Sequence, residues 1–592
     1  MKLAGKCGLL TLLLLNLLAC QHIKNKGDEN QQLSNLLADY SEKSLNFSPI
    51  EGTFQGRKEF NNKFIAPISE LNRSKSKHFE QEYLTKINHI NFDLLNAQSQ
   101  LSYKIFKSSL ELSLEAAQFP SYLMPINQMS GMHNFYAALG SGQSAQPFEN
   151  EQDYRNFIER SKGFAVWMDS VILAMREGIQ KGIVLPEPIV AKLIPQLKAH
   201  LVSDIKKSVF FQPLKNLPDS ITGISRTQLM RDYQHSIRKT IIPAYERVYY
   251  FLTSEYQKNT RKSVGLSDLP NGKAWYEYKI KTHTTLPLTA EEIHEFGLSE
   301  VARILSEMKK VKQQVNFDGT MAQFFEFLRT DDQFYFDKPE QLIKAYENTK
   351  SRIAATLPRL FEVFPKADYV IKPVADFEAK SAAGASYQAP APDGSRPGTF
   401  YINTYNLRSQ PKFIMETLSI HEAAPGHHFQ IAIQQEVEGL PDFRKFGGYT
   451  VFNEGWALYA ESLGKELGLF TDPYMWYGRL VDEQLRAMRL VVDTGLHAFG
   501  WSRNKAIKYM MANSSMARSD VEAEVERYIV IPGQALAYKI GQRKIRQLRE
   551  KGESILGDKF NVKAFHTQLL IDGSLPMSVL EEKIDRWIET QK

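Results

Sequence analysis

The residue types best suited to chemistry fall close together in this chain. The run His421-Glu422-Ala423-Ala424-Pro425-Gly426-His427-His428 is followed, about one short helix later, by Asn453-Glu454-Gly455-Trp456. Two imidazoles, a carboxylate beside the first and a second carboxylate downstream are the parts of a zinc hydrolase. A His-Glu pair alone carries no information, and a His-His pair is usually a surface or satisfied core feature. The joint pattern is much rarer, and it predicts a site for one Zn2+ ion.

The spacing sets a geometric problem. In a His-Glu-x-x-His arrangement the two histidines lie one helical turn apart on one face. Here the position four after His421 is Pro425, which cannot ligate. On an unbroken helix His427 would be turned roughly 240° from His421 and raised ~9 Å, while His428 would share its face ~10.5 Å up the axis. Zinc–nitrogen bonds of ~2.0–2.1 Å need closely spaced ligand atoms, so a regular helix fails for either choice. Pro425 has no N–H for the carbonyl of His421, and Gly426 accepts unusual backbone angles. The expectation is an expanded turn, two residues longer than usual, that returns a later imidazole to the metal. His427, directly after the glycine, is the favoured second ligand. His428 is the alternative, or a partner for substrate.

Glu422 then projects beside the metal as general base on the water it activates. Glu454 is the third ligand, on a helix over 449–467. Glu461 shares its face and either holds a ligand histidine from behind or faces solvent. Further on, Arg486 and Arg489 either grip a peptide carboxylate bidentately or are simply solvated or paired. His497, Tyr528 and Tyr538 are candidates to steady an oxyanion, the two tyrosines flanking the helix break at Pro532-Gly533.

The strings HEAAPGHHFQ, NEGWALYAE and PGQALAYKIG carry a resemblance. With LTAEEIHEFGLSEVARI at 288–304, DGSRPGTFYINT at 393–404 and LVVDTGLHAFGWS at 490–502, the chain resembles the bacterial family catalogued as domain of unknown function 885 over most of its mature length. That family is related to gluzincin metallopeptidases, whose zinc is held by two histidines and a glutamate. The resemblance implies a metallopeptidase-like hydrolase. It also implies an edge strand beside the metal helix that pairs with the substrate backbone. A strand over 399–404, with Tyr401 and Asn403, is placed either for that β-augmentation or merely to pack one side of the site. Gly384-Ala385-Ser386-Tyr387 is expected as a loop over the cleft.

Several elements must position these groups. At 592 residues the chain has room for two or three domains or one large two-lobed unit. A net charge of +6 is small for that size and argues against nucleic acid as a partner. Lys2 and Lys6, then an apolar run over 8–18 ending Leu17-Leu18-Ala19-Cys20, read as a lipoprotein signal. Cleavage before Cys20 and lipidation of its thiol would anchor the protein to a membrane. Gln21 after the cysteine fits outer-membrane sorting in a Gram-negative cell, with the domain facing either side. Cys7 is then lost with the signal, so no cysteine is left for metal, disulfide or nucleophile.

The domain reading is a signal peptide over 1–19, a lipidated tether over 20–32, an N-terminal helical lobe over 33–287 and a catalytic lobe over 288–592. Residues 264–290 form a Gly-, Pro- and Thr-rich break, after which Thr289 and Glu292 make a capping box. Aromatic residues at helical spacing in the first lobe read as core. Short strands are expected at 369–371 and 398–402, and a helix from Pro411 to the metal site. The predicted fold is mostly α, a two-lobed metallopeptidase-like fold with a small sheet beside the metal helix. The predicted function is zinc-dependent hydrolysis of short peptides. A zinc hydrolase of another amide or ester, and a non-catalytic peptide- or metal-binding lipoprotein, are the alternatives. Exo- against endopeptidase action and oligomeric state stay open.

Overall fold

The computed structural model of the chain describes residues 28–374, 379, 384–391 and 396–592. Cys20 and the rest of the expected lipoprotein signal lie outside them. The fold is mostly α-helical, with one three-stranded sheet. Among the described residues no helix is long and apolar enough to cross a membrane. The chain divides into two compact units at Ser263/Val264.

The first unit begins with a helix over 28–44 (α1), so residues 28–32 are helical rather than part of a loose tether. Its principal helices after that are α2 (Glu70–Asn88), α3 (Ala97–Ala116), α4 (Glu151–Lys181), α5 (Glu187–Lys198), α6 (Gly223–Ser236) and α7 (Ile242–Ser254). The long helix α4 starts at Asn150, whose side chain accepts from the N–H of Asp153, and stops at Gly182 in the left-handed region. Its Phe157, Phe164 and Trp167 are buried. Tyr136 stacks on Phe164 with ring centroids 3.9 Å apart, and Phe210, Tyr233 and Tyr245 complete the cluster. The aromatics of this unit are core, as their helical spacing indicates.

The second unit starts earlier than the sequence suggests. The segment read as a break holds α8 (Gly272–Thr284), which buries Trp275, Tyr276 and Ile280. Its apolar positions are interleaved with lysines, which masked the periodicity. Next comes α9 (Ala290–Gln314), capped by Thr289 and Glu292 in the reciprocal box the sequence calls for. Then follow α10 (Pro339–Thr356) and the strands β1 (Tyr369–Pro373), β2 (Ala385–Gln388) and β3 (Gly398–Ile402). Strand order is β1-β3-β2, with β3 parallel to β1 and antiparallel to β2. The strand expected at an edge is therefore the central one. Residues 385–388, expected as a loop, form the edge strand β2. Ser386 and Gln388 are exposed while Ala385 and Tyr387 are half-buried, an alternation four residues are too short to advertise.

Among the helices that follow are α11 (Met415–Leu418), α12 (His427–Glu436), α13 (Thr450–Ser462), α14 (Pro473–His497), α15 (Arg518–Val530), α16 (Ala537–Leu556), α17 (Val562–Leu570) and α18 (Met577–Gln591). Two crossings set their spacing. At Gly297, α9 passes so near α14 that a Cβ would strike Leu490 and Val491. At Gly455 and Gly541, α13 and α16 touch backbone to backbone, and a Cβ on Gly541 would collide with the carbonyl of Val451. The second crossing lies one residue after Glu454, so it fixes where that carboxylate stands. We predict that Gly541→Val costs about 3 kcal/mol and lowers the melting temperature by roughly 5–10 °C. An unchanged melt in differential scanning calorimetry would show that the crossing tolerates a side chain.

Candidate metal centre

A 3-10 turn at Lys412–Ile414 leads into α11, and α11 into a π-helical turn at Ser419–Ala423. His421 and Glu422 sit in this turn. The chain then leaves the helix, with Ala424 extended (φ −125°, ψ 132°) and a cis peptide to Pro425. Gly426 follows, and α12 begins afresh at His427. The expected expansion is present, but it ends in a break rather than a longer continuous helix. Gly426 passes tightly under the turn, where a Cβ would collide with the carbonyl oxygens of Ile420 and His421. No other residue type fits that approach. The Trp456 indole N–H donates to the Pro425 carbonyl at 2.7 Å and ties the break to α13.

This path brings His427 back over His421, their rings 4.8 Å apart between centroids and nearly perpendicular. Glu454 stands between them, its Oε2 3.5 Å from the Nε2 of each histidine. The three ligand atoms all lie within 4.8 Å of one another. Two atoms bound tetrahedrally at ~2.1 Å stand roughly 3.4 Å apart, so the two 3.5 Å separations from Glu454 Oε2 suit one zinc ion. Two further observations fit that use. Glu454 Oε2 is buried without a hydrogen-bond partner in the protein. The Nδ1–H of His421 donates to Glu461 Oε1 at 2.7 Å, which aims the His421 Nε2 at the shared point. Glu461 is fully buried, so the solvent-facing alternative for it fails.

The electrostatics favour a cation there. Burial works against charge on His421, but Glu454, Glu461 and Glu422 outweigh it and push the imidazole up to about 10. Partial burial works against charge on Glu454 as well, yet the two histidines hold its carboxyl well below the usual range. Glu422, adjacent to His421, is half-buried and has no hydrogen-bond partner among the described residues. A base free of protein partners is available to a water molecule.

His428 points away from this centre. Its Nε2–H donates to the Ala367 carbonyl at 3.1 Å, which leaves Nδ1 to accept from the Tyr387 hydroxyl at 2.9 Å. It clips α12 to the edge strand β2, and burial pulls its pKa down to about 4. Sequence spacing alone could not separate His427 from His428. The helix restart at His427 does.

Other expected site residues have different partners. His497 is buried, with Nδ1 accepting from the Leu266 N–H and Nε2–H donating to the Tyr528 carbonyl, so it braces backbone and has no proton for an oxyanion. The Tyr528 hydroxyl donates to Glu524 at 2.6 Å. Arg489 pairs with Glu524 at 2.9 Å and Arg486 with Asp482, so both arginines already have carboxylates. Their guanidinium groups lie 4.4 and 5.9 Å from the centre of the Tyr538 ring. Of the two tyrosines only Tyr538 is half-buried, and its hydroxyl has no hydrogen-bond partner among the described residues. Asn403 donates to the Ala379 carbonyl and accepts from the Tyr405 N–H, so it shapes a loop. The Tyr401 hydroxyl donates from the central strand β3 to Gln388 of the edge strand β2.

Tyr346 on α10 is a neighbour that sequence reasoning missed. It is fully buried, its hydroxyl has no partner, and its ring packs edge-on to Phe400 of β3. Burial, with the Asp482 and Glu422 carboxylates nearby, pushes its phenol far up, so it remains a donor. It lies in a separate helix remote in sequence, and nothing in its local pattern marks it.

The second unit thus defines a mostly helical protein with a two-histidine, one-glutamate cluster built on a broken helix. The chain belongs to a family of bacterial proteins of unknown function, DUF885, whose model matches residues 49–584. It is similar to a solved protein from Colwellia psychrerythraea described as a lipoprotein, at 28% identity and a TM-score of 0.87, covering 95% of this chain and 100% of that one. A Shewanella oneidensis protein described as a lipoprotein of unknown function shares the fold, at 19% identity and a TM-score of 0.69 over 93% of this chain and 99% of that one. No curated protein matches the chain.

Two predictions follow from the geometry. Isothermal titration should find about one zinc per chain, lost in His421→Ala, His427→Ala and Glu454→Ala and kept in His428→Ala. Glu461→Gln should weaken zinc by ~10–100-fold. Loss of zinc in His428→Ala alone would reverse the ligand assignment. Because His421 must shed a proton to ligate, zinc affinity should rise with pH up to about 10, and binding at pH 7.5 should release a proton. Equal heats in buffers of different ionisation enthalpy would count against that linkage.

Proposed function

We propose that the protein is a zinc-dependent peptidase of the bacterial cell envelope, anchored by lipid on Cys20. The observation that carries the reading is the convergence of His421, His427 and Glu454 on one point, with the unpartnered carboxylate of Glu422 beside it. A metal-binding module has no need of a base in that position. When bound, zinc supplies a Lewis acid that polarises the scissile carbonyl and makes an adjacent water more acidic.

Within the chain, His421, His427 and Glu454 hold the ion, and Glu461 keeps His421 in the ligating tautomer. Glu422 takes the proton of the attacking water and passes it to the leaving amine. The Tyr538 hydroxyl donates to the developing oxyanion, its ring braced by Arg486 and Arg489. The strand β2 packs against the π-turn and pairs with β3 on one side only, so it is the strand for an extended peptide backbone to join. Such pairing suits short, unfolded peptides. The envelope location is supported by the Leu17-Leu18-Ala19-Cys20 signal and by the lipoprotein descriptions of both structural neighbours.

The test is a mass-spectrometric assay of the mature chain on a mixed short-peptide library. Glu422→Gln should keep its zinc and lose ~10²–10⁴-fold in kcat, and Tyr538→Phe should lose ~10²–10³-fold with little change in KM. If wild type binds zinc but cuts no peptide, while it cleaves other amides or esters, the peptidase reading fails and the hydrolase chemistry stands.

A further inference from the structure

We propose that the solvent face running along α6 and its junction with α7 docks on anionic phospholipid headgroups, holding the first unit flat against a membrane. The opposite face of the same rod is core, with Leu229, Tyr233, Ile237 and Ile241 buried. The outward stripe is therefore fixed in direction. It begins with Ile224, 90% exposed, the most exposed large apolar side chain described. Seven and fourteen residues on stand Arg231 and Arg238, on the same face of a helix. His235 and Lys239 widen the stripe.

The stripe gathers three cations around one basin with no acid facing them. Many exposed cations on other helices sit three or four residues from an acid that neutralises them. Examples are Arg155 with Glu151, Lys162 with Glu159, Lys181 with Glu177 and Lys310 with Glu307. Arg231, Arg238 and Lys239 form no ion pair among the described residues. Asp232 is the only acid between residues 224 and 239, and it is turned aside, accepting from Gln228 at 2.7 Å and facing Arg155 of α4 at 3.9 Å. A helix face made only to be solvated gains nothing from leaving its cations unmatched.

The backbone also departs from regularity here. A π-helical turn spans Ile237–Ile241, with the Ile242 N–H reaching back to the Ile237 carbonyl. Its physical cause is Pro243, which has no N–H for the Lys239 carbonyl and crowds it. The widened turn spreads Arg238 and Lys239 around an open basin of about 440 Å³ that Arg231, His235 and Met230 also line, with no acidic residue on its wall. A phosphodiester headgroup is of the size and charge to enter it, and Ile224 can follow into the interface.

A place for this contact comes from the lipid anchor, and in this respect the inference rests on the envelope reading. Seven residues separate Cys20 from the start of α1, a reach of ~28 Å at most over eight Cα–Cα steps. An anchored chain would hold the start of α1 within that distance of the bilayer, and so keep the first unit close to it. At such an effective concentration a weak electrostatic contact is enough.

The test uses the chain from residue 21, so that no acyl group contributes, and needs no catalysis. It is co-sedimented with vesicles of phosphatidylcholine alone or with about one-third phosphatidylglycerol. Binding is expected only with phosphatidylglycerol, falling more than tenfold between low and high salt. The triple variant Arg231→Glu, Arg238→Glu, Lys239→Glu should bind at least tenfold less. The same triple to Gln should fall in between, which guards against a folding defect in the charge reversals. Lys58→Glu, Lys75→Glu, Lys198→Glu in the same unit, with the same change of net charge, should bind like wild type. Binding that is absent, that ignores phosphatidylglycerol, or that falls equally in both Glu triples overturns the proposal. A failed peptidase assay leaves this outcome untouched, and the reverse holds too.

Discussion

A helical backbone that continued past His421 would carry the next histidines out of reach of any shared ion. The site therefore depends on the chain leaving the helix at Ala424 and re-entering it at His427. Three features make that path possible. The π-turn widens the backbone, Gly426 passes where any side chain would collide, and Trp456 fastens the Pro425 carbonyl to α13. Because α13 also carries Glu454 and Glu461, one helix both clamps the break and supplies the carboxylates. The glycine contact between α13 and α16 then sets the depth of those carboxylates, so packing and ligand geometry are a single constraint.

Charge is organised around the same point. Buried carboxylates behind and between the histidines would be costly if left alone. Glu461 is matched by His421 and, further off, by Arg486; Arg486 is matched by Asp482, and Arg489 by Glu524. The arginines that look available for a substrate in one dimension are thus counter-charges of the interior, and their second contact is the Tyr538 ring. The pairing leaves some polar atoms over, since Glu461 Oε2, Asp482 Oδ2, Arg486 Nε and Arg489 Nη1 are buried with no hydrogen-bond partner among the described residues. The Tyr346 hydroxyl, Glu454 Oε2 and His427 Nδ1 are likewise without a hydrogen-bond partner among the described residues.

Asp493 shows how far the support extends. This buried carboxyl accepts from the Tyr276 hydroxyl and from the Gly533 N–H, so it holds the turn that precedes Tyr538. Burial raises its pKa to about 7. A group raised in this way favours the folded state while protonated in it, and that contribution fades as pH climbs from about 4 to 7. His497, four residues on, hydrogen-bonds backbone on both sides, and together they make the end of α14 a rigid post beneath α15 and α16.

Much of this was legible in one dimension. Residue types gave the two-histidine, two-glutamate set, because few chemistries need an imidazole, an adjacent carboxylate and a later carboxylate together. Turn chemistry gave the capping box at Thr289 and the disturbance at Pro425-Gly426, since both follow from which backbone N–H groups exist. Helical periodicity gave a mostly α fold and an aromatic core. Tertiary structure decided what depends on direction and distance. It selected His427 over His428, because only the restart of a helix says which way successive side chains turn. It made β3 central and β2 the edge, because strand order is set by pairing across dozens of residues. It assigned His497, Tyr528, Arg486 and Arg489 to interior partners that lie on other elements, and it brought Tyr346 to the site from a helix with no local mark. A sequence lists which groups can bond; only the packed chain settles which of them already have.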